Sequence, residues 1–168
     1  MRHSDAPDIA ENLEWTFIED ACFDGASTQE LRAHFLAWRG EAFRAEQKAP
    51  QPRADVPQYG SPRYDYFIQV DEAALRSIFV ENDDDRPWWD GFNEGYVNFV
   101  NANWKSLAEL GLDPGDEEHE SIHGCTEEDV GWMKMSAGLV GAEFYEAMIG
   151  VADLWYVFYK RPPAVNTW

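Results

Sequence analysis

The chain is poor in positive charge. Thirteen Lys and Arg stand against 32 Asp and Glu in 168 residues, for a net charge of -19. Phosphate backbones and anionic lipid surfaces are held by clustered cations, so direct nucleic-acid binding and docking on an acidic membrane are both disfavoured. Cysteine is scarce too. Cys22 and Cys125 lie far apart and in no C-x-x-C pattern, which excludes a disulfide-dense scaffold and suits free thiols in a reducing compartment, although a single Cys22 to Cys125 bridge remains compatible with the spacing. Long apolar runs are missing: the longest, Met148 to Tyr159, is interrupted by Asp153 and falls short of the ~20 residues that a spanning helix requires. The first dozen residues carry no apolar stretch of the secretory kind. These absences lead to the expectation of a soluble, cytoplasmic protein. No glycine-rich phosphate loop and no internal repeat is present.

What is present is a core and an acidic excess. With 45% hydrophobic and 15% aromatic residues, the chain has enough apolar material for one domain over 1–168. Its polar first stretch, 1–13, is expected to fray. The acidic excess is uneven. Residues 1–80 carry 8 basic and 14 acidic side chains, whereas residues 81–153 carry 3 and 18. A negative field of this kind suits a basic protein partner, a cationic ligand or a metal ion.

Periodicity places the elements. Trp15 to Ile18 is read as a lead-in that reaches the core, with Cys22 buried beside Phe23. Ser27-Thr28-Gln29-Glu30 is a capping box that opens a helix with Leu31, Phe35, Trp38 and Ala42 as its apolar stripe, fading near Lys48. The segment 49–62, with Pro50, Pro52, Pro57 and Pro62, is a proline-rich loop or linker. Tyr64, Tyr66, Ile68 and Val70 alternate as a strand, and Asp71 caps a following helix in which Ala74, Leu75, Ile78 and Phe79 recur at helical spacing. A second strand is expected over 95–104, a third near Gly131 to Ser136, a helix near Gly141 to Ile149, and a last strand over Leu154 to Lys160. Strands and helices mix without a regular βαβ period. That predicts an α+β domain with a mixed or antiparallel sheet of about four strands, packed by two or three helices.

One motif carries chemistry. His119-Glu120-Ser121-Ile122-His123 matches H-E-x-x-H. On a helix, the two imidazoles would lie one turn apart and could hold one zinc ion, with Glu120 as general base. Asp113-Pro114 and Gly124 are the corresponding start and stop signals. A third ligand would come from Cys125, Glu127, Glu128, Asp129 or a distant acid. Against this, Asp116, Glu117, Glu118 and Glu120 leave the helix almost no apolar face, and the longer G-x-x-H continuation is missing.

Three functions follow. The first is an interaction module that docks on a basic partner as an inhibitor, antitoxin-like protein or nucleic-acid mimic, using Asp83, Asp84 and Asp85 for encounter and Trp88 and Trp89 as anchors. It needs no cofactor. The alternatives are a small zinc-dependent hydrolase built on His119, His123 and Glu120, and a small-molecule binder with an aromatic pocket.

Overall fold

A computed structural model describes residues 13–46, 61–79, 95–113, 119–149 and 154–167. Its centre is a four-stranded sheet in the order β1 (Tyr66–Gln69), β2 (Tyr96–Asn101), β3 (Trp132–Ser136) and β4 (Val165–Asn166). The first two pairings are antiparallel and the last is parallel, so the sheet is mixed. Five helices are described: α1 (Thr28–Glu46), α2 (Pro62–Asp65), α3 (Glu72–Ile78), α4 (Ala142–Ala147) and α5 (Leu154–Phe158). Together they make one compact α+β domain, the class expected from the sequence.

Strand alternation divides the sheet into two unlike faces. On one, Phe99 pairs with Ile68 and Met133, and Val97 pairs with Met135. Tyr66 stacks on Phe99 at 5.0 Å and on Trp155 at 5.8 Å, while Phe144 meets Phe99 edge-on. Met133 and Met135 are fully enclosed, and each such burial stabilises the fold by about 1.5–3 kcal/mol. Burial also pushes the Tyr66 phenol up to about 12. The other face lies under α1, where Phe35 stacks on Phe67 at 5.0 Å.

The residues of α1 that go deepest are not its apolar stripe. Thr28, Arg32 and Arg39 are buried, whereas Leu31, Phe35 and Trp38 are only partly covered. The Arg32 guanidinium donates to the carbonyls of Asn101, Val130 and Gly131 and lies over the Trp104 ring. Gly131 makes this contact feasible. Its φ is +75°, and a Cβ there would run into both Trp104 and Arg32, so glycine is required for conformation and for space.

The start of α1 follows the capping box: the Glu30 carboxylate accepts from the Ser27 N–H at 2.8 Å, and the Ser27 hydroxyl accepts from the Glu30 N–H. The strand near Gly131 to Ser136 and the helix that follows the break also form as read. Several expectations are corrected. The first strand starts at Tyr66, because Pro62 opens a single helical turn that buries Tyr64. The segment Leu154–Phe158 is a helix and not a strand; its aromatics are shared between faces by helical spacing, with Trp155 buried and Tyr159 stacked one turn later. Phe17 is 81% exposed, and Trp15 and Ile18 are exposed with it. Cys22 is exposed on a short 3-10 turn capped by Asp20, and both cysteines are free thiols. The proline-rich segment, apart from its last two residues, and the stretch 1–12 lie outside the described residues.

Candidate functional site

The H-E-x-x-H segment does not form a helix over 119–123. Ile122 and Cys125 exchange backbone hydrogen bonds across a two-residue turn, with His123 at φ 51° and Gly124 at φ 87°. Positive φ at both central residues is the signature of the tight turn that matches strand twist, and Gly124 suits it. His119 and His123 therefore sit at different levels of a hairpin rather than one helical turn apart. The His119 imidazole lies 3.2 Å from the Glu128 carboxylate, and His123 stacks on Trp132 at 5.8 Å. Glu120 is exposed.

The acids considered as a third ligand have structural duties. Glu127 accepts from the Leu107 N–H, and Glu128 meets His119. Asp129 accepts from the Gly131 N–H at 2.7 Å and from the Trp155 indole at 2.9 Å. Burial raises its carboxyl above the ordinary value, and those two hydrogen bonds only partly oppose the shift. Arg161 fastens the hairpin by donating to the carbonyls of Glu120, Cys125 and Glu127. Among the described residues, no cluster of three or more His, Cys, Asp or Glu is placed to hold a metal ion.

A recess of about 190 Å³ opens on the second face of the sheet, beyond the part that α1 covers. Its floor is a row of three polar residues directly opposed across three strands: Gln69 on β1, Asn98 on β2 and Lys134 on β3. Tyr96, Trp132 and His123 form its aromatic side, and Thr28 and Ala73 close it from α1 and α3. Asn98 is only 3% exposed. Its amide nitrogen donates to the Asp71 carboxylate at 2.8 Å, while Asp71 also caps α3 by accepting from the Ala74 N–H. Among the described residues, the amide oxygen has no hydrogen-bond partner. Lys134 places its ammonium 4.0 Å from the centre of the Tyr96 ring.

This recess was not assembled by sequence reasoning. Asn98 is a polar residue in an otherwise apolar stretch, but its alignment with Gln69 and Lys134 depends on strand register, which no local pattern states. The anchors Trp88 and Trp89 and the acids Asp83, Asp84 and Asp85 lie outside the described residues. No described helix is long and apolar enough to cross a membrane. Comparison with known proteins gives no matching family model, no matching curated protein and no matching solved structure.

Proposed function

We propose that the chain is an acidic recognition module that docks on a basic protein partner. The observation that supports this reading is where the cations go. Arg32 is buried with its guanidinium on backbone carbonyls, and Arg161 is likewise aimed at carbonyls of the hairpin. Arg39 and Arg44 also donate to backbone carbonyls, so four of the thirteen cations are drawn onto the backbone, while Glu109, Asp113, Glu120, Glu128 and Glu143 are exposed in the more acidic half. A surface of this kind accelerates encounter with a basic partner and rejects acidic ones. Trp88 and Trp89, flanked by Asp83, Asp84 and Asp85, are the proposed anchors, because aromatic rings supply contact area at low entropic cost. The zinc-hydrolase alternative has no comparable support, since its two imidazoles are engaged with different neighbours.

The test is affinity capture with the full chain, followed by titration of the isolated partner over a range of ionic strength. A basic protein that binds with defined stoichiometry, weakens as salt rises and weakens again against a Glu120→Lys, Glu143→Lys double variant supports the proposal. Trp88→Ala and Trp89→Ala should each raise the dissociation rate and leave the association rate nearly unchanged. A partner whose affinity ignores both salt and charge reversal overturns the acidic-docking reading.

A further inference from the structure

We propose that the recess over Asn98 is a binding site for a free α-amino acid, a ligand that carries an ammonium and a carboxylate on neighbouring atoms. The argument starts from the unpartnered oxygen. A buried amide acceptor without a donor costs about 1–3 kcal/mol, and few such groups persist in native folds without a reason. Rotating the amide does not cure it, because the Asp71 carboxylate accepts from the Asn98 nitrogen and would then face an oxygen. The carboxylate therefore fixes the amide with its oxygen turned away from Asp71. That oxygen asks for an N–H donor.

The neighbours define the rest of the ligand. Lys134 is directly opposite Asn98 on the adjoining strand, and adjoining strands run about 4.8 Å apart. Among the described residues its ammonium meets only the Tyr96 ring, which leaves its donors available to an anion. Asp71, on the other side of Asn98, adds negative charge beside the place where a ligand ammonium would sit. An α-amino acid carries both partners on one small frame, an ammonium to donate to Asn98 and a carboxylate to accept from Lys134 on the adjoining strand. The volume of about 190 Å³ is below the ~300–1,000 Å³ typical of drug-sized ligands, so a nucleotide does not fit and an amino acid does. Trp132 and Tyr96 flank the floor and offer apolar surface to the ligand's side chain. The inference does not depend on the proposed docking on a basic partner.

The experiment titrates the full chain with each of the common L-amino acids singly, reading Tm and the side-chain amide resonances of Asn98. For any that binds, the matched α-hydroxy acid and the matched primary amide are titrated as well. The expected result is a saturable rise in Tm with at least one amino acid, together with a shift of the Asn98 resonances. Each analogue, having lost one charged group, should bind about tenfold or more weakly. Lys134→Met should weaken the parent amino acid to the same degree and leave the primary amide unchanged. A recess that holds only water gives no shift in Tm or resonance with any amino acid, and the proposal is then wrong. Equal binding of the amino acid and its hydroxy analogue would overturn it too, and this comparison needs no variant to fold.

Discussion

The two faces of the sheet are built on different principles. One is closed by shape: Met133, Met135, Phe99 and Trp155 are buried against one another, and the Asn166 amide that enters beside Met133 donates to the Phe158 carbonyl. The other is closed by hydrogen bonds, with Arg32 satisfying carbonyls at one end of α1 and the Glu46, Arg63 and Tyr64 group at the other. The contrast teaches where specificity and adaptability reside. A dispersion-packed face tolerates no gap, whereas a polar face can leave one of its groups unmatched and so keep room for a guest.

Substitutions on each face test that difference. Trp155→Ala should be the most damaging, costing about 3–5 kcal/mol in urea unfolding, because it opens a large cavity and also removes one of the two donors to the Asp129 carboxylate. Arg32→Met should cost less, about 2 kcal/mol. It removes the donors to the Val130 and Asn101 carbonyls, but it also removes the cost of holding a charge away from water. If Arg32→Met proved as damaging as Trp155→Ala, the polar face would be the stronger of the two and the comparison would reverse.

The smallest effect is one of pH. The hydrogen bond from Arg63 holds the Glu46 carboxyl below its ordinary value of 4.5. A carboxylate whose folded value is depressed adds stability above its unfolded value, and that stability is lost as pH falls through the folded value. Glu46→Gln should therefore lower Tm by a constant, modest amount from neutral pH to about 5, and the gap should close below 4.5. Asp129 acts in the opposite sense. Burial raises its carboxyl, so its ionisation weighs against the fold as pH rises from the ordinary carboxylate value through the raised one. A Tm gap for Glu46→Gln that widens in acid would contradict this assignment.

Local chemistry made part of the fold readable. The capping box, the Asp71 cap and the split between β3 and α4 are each fixed by residues within a few positions of one another. Other features depended on distant partners. Thr28, Arg32, Phe35 and Arg39 have the helical spacing of an inward face, but the two arginines read as solvated until the Gly131 carbonyl beneath Arg32 and the Tyr64 carbonyl beneath Arg39 are known. Leu154–Phe158 carries aromatics at positions that satisfy either alternation or a helical turn. The H-E-x-x-H letters imply a helix only if nothing else claims the backbone, and Gly124 with the Arg161 bonds claims it for a hairpin. Asn98 was visible as a polar residue among apolar ones, whereas its vacant oxygen required the position of Asp71.

Arg161 also sets an order in time. Its guanidinium holds the hairpin at Glu127 from 34 positions later in the chain. A ribosome adding about 5–20 residues per second leaves that loop without its clasp for some seconds after it is made. During that interval the hairpin keeps only its own backbone bonds, between Ile122 and Cys125 and between His119 and Thr126, and the finished fold adds the anchor that joins it to the rest of the domain.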